Sequence, residues 1–540
     1  MPEFLTDLGV ASRTRRQAPL LRLAVPMALG FAAARVMPDP GQARGFAAVA
    51  AITCAAAVAN LAACSRPRAA MLAFYAFAFF GAAAYFLYGA RQNPYPDWCA
   101  RECGLTLAVE RCDINAKGAA YGVAKVISAP GYFSKMRGGN VWYYAKDGRE
   151  VSRGGEITGN FIVRPLDKAE GGGFDEYLEN CGIFFKASAR SVNASQGGFP
   201  YSLYAACREY IVKRLSQFPE IMGENSPGAR AYRAMILGDK GLLSPEAKAG
   251  FAATGTMHIF AVSGLHVGML AAVLFGVLNA LRVPRKIQPA ACLPLLFLYV
   301  NACGARPSAM RAFIMIAFVW AAWAVARKPK PFAGLVAAFV FTIAANPSDL
   351  FDAGFALSYS VVAALLLYAV EFCDFASCEM EKRRGFELRR PPLFRRAARR
   401  VLRYALAGLS IAVAALFVSA PLSAHYFGYI APLSVPYSLP YVAAATAVVA
   451  AGAFAMALPH FALVWANWAA ARVAELMLAG AEAGAQTGLV IDVRISGGAA
   501  FAIECAIVAS LLLAPKIPGP WKWAAMPAVS AGGILMAAAA

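Results

Sequence analysis

Two of the four histidines in this 540-residue chain, His258 and His266, stand close together with Ser263-Gly264 between them. They lie in the stretch Met235–Gly268, where polar residues (Gly238, Asp239, Lys240, Ser244, Glu246, Lys248) hand over to a long apolar run, Met269–Leu281. Ser263 with His266 has the makings of a nucleophile and its base, and His258 with His266 those of two metal ligands. The surroundings complete neither. The first lacks a G-x-S-x-G elbow and an evident orienting carboxylate. The second lacks a third ligand at useful spacing and does not match H-E-x-x-H. No G-x-x-x-x-G-K-[ST] phosphate loop occurs, so ATP is not expected to be the chain's own energy source. The sequence thus predicts no catalytic residues, no metal and no cofactor. Polar and titratable groups at the mouth of a membrane segment are nonetheless costly unless satisfied, which makes them functional candidates.

The elements that must position these groups are membrane helices. A hydrophobic share of 59%, a mean hydropathy of +0.53 and recurrent apolar runs of roughly 20 residues do not suit a soluble globular chain. The net charge of +20 would suit either a basic nucleic-acid face or basic cytoplasmic loops, and its distribution favours the loops. Candidate spans at 20–36, 46–63 and 70–90 follow Arg13, Arg15, Arg16 and Arg22, with Arg66 and Arg68 between the second and third. This predicts a cytoplasmic N-terminus and places residue 91 outside. With no small-residue cleavage site leading into a soluble domain, the first run reads as an uncleaved span. Further spans are expected at 258–281, 287–303, 308–326, 333–345 and 350–371. Their predicted inward ends carry Arg282, Arg285 and Lys286, then Arg327, Lys328 and Lys330, then a basic cytoplasmic loop, 379–403, with ten Lys/Arg against three Glu. Runs at 404–427 and 436–458, with Pro421, Pro432, Pro436 and Pro440 in or beside them, predict broken or re-entrant helices. The helix expected at 461–482 carries Arg472, Glu475 and Glu482, which predicts burial against protein or an interfacial position; runs at 499–514 and 521–538 close the chain. The expectation is a mainly α, polytopic membrane protein with about 11–13 membrane segments.

Residues 97–195 differ. Short β-type runs (Leu105–Val109, Tyr121–Ile127, Val141–Tyr144, Ile157–Val163, Ile183–Ala187) separated by Gly138-Gly139 and Asp147-Gly148 predict a small extracytoplasmic β-barrel or sandwich. Cys99, Cys103, Cys112 and Cys181 form an even set on the outer side, which favours disulfides over zinc: there is no CxxC pair and no nearby histidine. Residues 200–253 show apolar positions at helical spacing interrupted by Pro219, Pro227 and Pro245, predicting amphipathic helices along the outer face.

The pattern Gly255-x-x-His258-x-x-x-x-Ser263-Gly264-x-His266 resembles the central signature of the ComEC family, the inner-membrane DNA channel of bacterial natural transformation. Further blocks follow in the family's order. Gly172-Gly173-Phe174-Asp175-Glu176-Tyr177-Leu178 resembles its extracytoplasmic OB-like domain, and Gly304-x-x-x-Ser308-x-x-Arg311-Ala312 its Arg-Ala motif. Asn346-Pro347-x-x-Leu350 with Gly354-Phe355-x-Leu357-Ser358, and Ser419-Ala420-Pro421-Leu422 with Phe427, match two more. Ala356 replaces the family's usual Gln, and the asparagine expected around Val435–Pro440 is missing. The resemblance covers about 95–460. Taken together with the apolar runs and helical spacing, it gives N-terminal transmembrane segments (1–96), an OB-like β domain (97–195), an amphipathic helical connector (196–257) and a competence-type channel domain (258–540). Many members also end in a metallo-β-lactamase-like domain with an HxHxDH cluster; this sequence has none, so strand degradation would have to come from elsewhere.

The function this implies is passage of single-stranded DNA into the cytoplasm, with an extracytoplasmic DNA receptor and a cytoplasmic motor or DNA-binding proteins as partners beside the lipid bilayer. A polyanion crossing low dielectric needs donors, and helix N-termini, hydroxyls and imidazoles supply them. His258, Ser263, Gly264, His266, Arg311 and Ser358 are the candidates for that path. Equally, the histidines could hold helices together by hydrogen bonds, and Arg311 could snorkel rather than face phosphate. Asp349 and Asp352 are expected to cap a helix. Tyr132, Phe133, Trp142, Tyr143 and Tyr144 suit base stacking or barrel core, in a segment with 13 Lys/Arg against 12 Asp/Glu. On architecture alone, a secondary transporter of a small solute is the alternative, and a membrane-embedded hydrolase a weaker one.

Overall fold

The computed structural model describes residues 21–36, 46–55, 67–89, 95, 98–115, 118–148, 151–166, 174–219, 221–284, 287–324, 330–346, 349–350, 352–369, 372–373, 393–456, 458–513 and 521–539. Most of the basic loop residues that carried the topology expectation (Arg13, Arg15, Arg16, Arg285, Lys286, Arg327, Lys328 and 379–392) lie outside the described residues.

Three apolar helices come first: α1 (Leu21–Val36), α2 (Phe46–Ala55) and α3 (Pro67–Gly89). The β segment follows, with β1 (Arg101–Val109), β2 (Asp113–Ile114), β3 (Ala120–Ser128), β4 (Asn140–Asp147), β5 (Glu156–Pro165), a short helix α4 (Phe174–Asn180), β6 (Phe185–Ser191) and β7 (Asn193–Ala194). β1 pairs antiparallel with both β3 and β5, β3 pairs with β4, β4 runs parallel to β6, and β6 pairs with β5. These pairings close five strands into a barrel of OB-like order, which removes exposed edges. Alternation along the strands turns Leu105, Leu107, Val126, Val141, Tyr143, Phe161, Val163 and Phe185 inward as its core.

The remaining chain is helical: α5 (Tyr201–Leu215), α6 (Pro227–Leu237), α7 (Pro245–Ala253), α8 (Gly264–Ala280), α9 (Gln288–Ala302), α10 (Pro307–Ala324), α11 (Pro331–Ala345), and α12 (Ala353–Ala364), which continues through a π-helical turn, Leu365–Ala369. Then come α13 (Leu393–Tyr426), β8 (Tyr429–Ile430), α14 (Ser434–Ala455), α15 (His460–Ala485), β9 (Ile491–Asp492), α16 (Gly497–Leu513) and α17 (Trp521–Ala539). Among the described residues three helices, Val401–Tyr426, Ser434–Ala455 and His460–Ala485, are long and apolar enough to cross a membrane. Nine further apolar helical stretches of 10–17 residues lie in α2, α3, α8–α12, α16 and α17. The chain is a mainly helical membrane protein with a small barrel.

The helices form two cores. One joins α5–α10 to α14 and α15; the other joins α1 and α3 to α11–α13, α16 and α17. Local chemistry starts the helices of the first. Ser226 and Ser244 accept the N–H of Ala229 and Ala247 at 3.3 and 3.2 Å, each just before a proline in the first turn. α6 departs from expectation. Rather than presenting an open polar face it is buried at nine of the ten positions from Gly228 to Leu237, where the small residues Ala470, Ala471 and Ala474 of α15 pack onto it. Tyr232 Oη adds a 2.9 Å hydrogen bond to Asn467 Oδ1.

Three more expectations change. Pro421 and Pro440 lie inside the uninterrupted helices α13 and α14, so these segments are not broken there. Residues 393–403, expected in the basic loop, already belong to α13. The four cysteines are free rather than bridged. Cys103 is buried in the barrel, Cys112 Sγ lies 3.5 Å from Val151 O, Cys181 stands beside Tyr177 and Cys99 is exposed. Burial pushes the Cys112 and Cys181 thiols each up to about 11, which keeps them protonated and unreactive at neutral pH.

The α6–α15 contact is testable. A Cβ on Gly228 would meet Ala471 O at 2.5 Å, whereas one on Gly268 meets nothing within 4 Å. Gly228→Ala is expected to destabilise the protein by about 1–3 kcal/mol, and Gly268→Ala to leave stability unchanged or raised. Thermal unfolding of both in detergent checks this.

Candidate functional site

The Ser263-x-x-His266 spacing has a local cause. Ser263 is the N-cap of α8, and its Oγ accepts the Leu265 N–H at 3.2 Å. His266 Nδ1 lies 3.3 Å from the Ser263 N–H and 3.0 Å from Ser263 Oγ. Histidine here takes the place that Glu or Gln takes in a capping box, satisfying a donor that would otherwise be orphaned. Losing such a cap costs about 1 kcal/mol. His266 is only 1% exposed and is not among the lining residues of the cavity below the barrel. His258 behaves differently: it sits on a 3-10 turn (Met257–Phe260), is exposed, and its Nδ1 lies 3.1 Å from Gly255 O. Gly255, at φ +66° and with Ser434 Cβ 2.6 Å from where its own Cβ would be, supplies a left-handed turn that other residues resist.

Below the barrel lies a cavity of about 920 Å³. It sits where the two helical cores meet. Its walls are the His258–Leu265 segment, the first turns of α10, α12 and α14, one side of α13 from Ala412 to Ser423, and the loop around β8. Along α13 it extends roughly 16 Å at 1.5 Å per residue. Its roof is the barrel, through Arg111, Asp113, Trp142, Phe174 and Tyr177. Five of the six residues singled out from the sequence line it, namely His258, Ser263, Gly264, Arg311 and Ser358; His266 stands behind them as the cap. Serine is the most frequent polar residue of the lining, through Ser263, Ser308, Ser358, Ser419, Ser423, Ser434 and Ser438, beside the charged Glu110, Arg111, Asp113, Lys240, Arg306, Arg311, Asp349 and Asp352.

Polar contacts tie the roof to the walls. Arg306 Nη2 donates to Asp113 Oδ1 at 2.8 Å. Tyr177 Oη donates to Asp352 Oδ2 at 2.6 Å, while Asp352 Oδ1 accepts the Phe355 N–H at 2.9 Å and caps α12. Arg111 Nη2 stands 3.9 Å from Asp349 Oδ1. A Cβ on Gly241 would meet Ile114 O at 2.1 Å, so only glycine lets β2 of the barrel sit on the Lys240–Leu242 turn. Of the two aspartates expected to cap, Asp352 does so; Asp349 instead accepts from Asn346 Nδ2 at 2.8 Å and faces Arg111.

Burial, reinforced by Asp352, holds the Asp349 carboxyl up at about 6, against the pull of Arg111 and Asn346. Burial works against the Arg111 charge, but Asp352 and Asp349 more than offset it, so its pKa is raised. Burial and then Arg306 lower the pKa of Lys240. Burial followed by Asp352 raises Tyr177 well above the usual phenol range, so it remains a donor.

Sequence reading missed Arg306, Asp113 and the Tyr177–Asp352 bond, because their partners lie 193 and 175 residues apart. Among the weighed aromatics, Phe133 and Tyr143 are barrel core, Tyr132 and Tyr144 are exposed, and Trp142 lines the cavity, 5.0 Å edge-on from Phe174. The other two histidines are not among its lining residues: His425 Nδ1 lies 3.3 Å from Ile495 O and His460 Nδ1 2.9 Å from Gln217 Oε1.

A family model described as "Competence protein" matches residues 235–517. The ComE operon protein 3 of Bacillus subtilis (strain 168) is 31% identical over 216 residues, which cover 39% of this chain. The match spans 27% of that relative's length. No solved structure matches the chain.

The Asp349 environment gives a pH signature. A carboxyl held near 6 in the fold against about 3.9 when unfolded binds its proton more tightly in the folded state. Its contribution to stability therefore falls as pH rises from about 4 to about 6, and stays at its lower value above that. Asp349→Asn removes this component. Relative to wild type, the variant should gain melting temperature as pH is raised from 4 to 7, as thermal unfolding across that range will measure.

Proposed function

The chain belongs to the competence protein family of ComEC type, and from that premise we propose that it passes single-stranded DNA across the cytoplasmic membrane in DNA uptake. The observation that carries this reading is the cavity. A nucleic-acid-type barrel roofs it, and its walls gather the family-motif residues from four separate segments of the chain, around His258, Arg311, Ser358 and Ser419. Its lining suits an unselective polyanion. Hydroxyls and the α8 N-terminus offer donors without demanding a base sequence, and Trp142 and Phe174 offer faces on which bases stack.

In this proposal the barrel stands on the extracytoplasmic side, the N-terminus is cytoplasmic, and the strand enters between barrel and membrane helices. We read the Ser263–His266 contact as a helix cap, with His266 Nδ1 taken up by the Ser263 N–H at 3.3 Å as well as by Oγ at 3.0 Å. The chain thus acts as a conduit rather than an enzyme, without a metal or cofactor. An external receptor delivers the strand, and cytoplasmic DNA-binding or motor proteins supply direction. A small-solute transporter would use the same cavity, but the barrel on its roof has no role in that reading.

Uptake of labelled DNA into the cytoplasm of a deletion strain tests the proposal. Wild type restores uptake. His258→Ala, confirmed in the membrane, lowers it by roughly tenfold, the effect of about 1.4 kcal/mol at one point of the path. Normal uptake in the deletion strain would overturn the proposal and turn attention to solute flux.

A further inference from the structure

Arg311 is the arginine of the cavity wall whose charge the fold leaves unanswered. Arg306 has Asp113 and Arg111 has Asp349, but among the described residues Arg311 faces no carboxylate. It does not snorkel: it is only 4% exposed, on the first turns of α10. Among the described residues its guanidinium makes one hydrogen bond, Nη1 to Ser358 O at 2.7 Å, and lies over the Tyr359 ring at 5.6 Å. Nε is buried without an acceptor. Buried cations are ordinarily paired, and an unpaired one aimed into a cavity is arranged for an anion that arrives from outside.

What it is aimed at is the start of α8. A Cβ built on Gly264 would lie 3.4 Å from Arg311 Nη2, which puts the guanidinium beside the first backbone N–H groups of a 17-residue helix. The Gly264 N–H has no protein acceptor among the described residues. Glycine at this position leaves open a gap bounded by a fixed positive charge on one side and the positive end of a helix on the other, a combination suited to phosphate.

We propose that Arg311 and the N-terminal turn of α8 at Gly264 form a subsite for one phosphodiester monoanion, which holds a single backbone phosphate of the strand inside the cavity. The identification of the ligand as DNA rests on the function proposed above; the subsite itself does not. The same group occurs in phospholipid headgroups, and the test separates the two sources.

The full chain in phosphatidylcholine nanodiscs is titrated with fluorescent oligothymidylate at several salt concentrations, and separately with short-chain phosphatidylglycerol. Arg311→Gln should weaken oligothymidylate binding about tenfold and flatten the slope of log affinity against log salt by about 0.7, the value for one single-strand phosphate. Arg311→Lys should keep the slope. Gly264→Ala, which places a methyl against Nη2 while leaving every Arg311 contact in place, should weaken binding too, and it decides the matter if Arg311→Gln does not fold. An unchanged affinity and slope in Arg311→Gln, or in Gly264→Ala where that variant decides, overturns the subsite and leaves the DNA reading standing. If wild type binds phosphatidylglycerol through Arg311 but no oligothymidylate, the subsite stands and the DNA reading falls. Binding of neither probe overturns the subsite.

Discussion

One carboxylate joins the two halves of this architecture. Asp352 accepts the buried Phe355 N–H of α12 with one oxygen and the Tyr177 hydroxyl of the barrel helix with the other. A helix end buried at a membrane surface must have its donors satisfied, so this residue is needed for the helix whether or not a barrel is present. Binding the barrel with the second oxygen makes the roof of the cavity and the start of one of its walls depend on the same group. The Arg306–Asp113 pair and the Ile114–Gly241 contact fix the roof at two other points. Such contacts add little affinity where they are wet, but they specify orientation. The barrel is thereby held with Trp142 and Phe174 over the cavity rather than turned away.

The same economy recurs at the centre of the family motif. A serine and a histidine three residues apart invite a catalytic reading, yet their geometry is that of a capping box. Capping rigidifies the start of α8, and rigidity there fixes Gly264 opposite Arg311. His258, eight residues earlier, is free of that duty and faces the cavity. The two histidines that the sequence presents as a pair are thus divided between fold and lining.

Much of this was legible in the sequence, for identifiable reasons. Alternating β runs marked all five barrel strands because one face of each is buried. Uncharged apolar runs marked the helices, whereas Pro227 and Pro245, read as interruptions, prove to be the first residues of α6 and α7. Of the six candidate residues, five reached the cavity, because groups so expensive to place near lipid are seldom there without cause. The failures share one cause as well: each depended on a partner distant in sequence. α6 looks amphipathic but is enclosed by α15, whose alanines gave no signal of which helix they would meet. Prolines 421 and 440 suggested breaks that neighbouring helices make unnecessary. Evenly numbered cysteines suggested bridges, but Cys99, Cys103, Cys112 and Cys181 are free. Arg306 and Tyr177 find their carboxylates across nearly 200 residues, a distance over which composition says nothing.

The central claim is that a DNA strand occupies the space between the barrel and the helices. Site-specific photo-crosslinking during uptake tests it most directly. A photoreactive residue in place of Ser358 or Ser419, both lining the cavity, should crosslink labelled single-stranded DNA. The same residue in place of Phe341, 63% exposed on α11 and outside the cavity, should not. Crosslinks at 341 but not at 358 or 419 would contradict the account, since the strand would then be passing elsewhere.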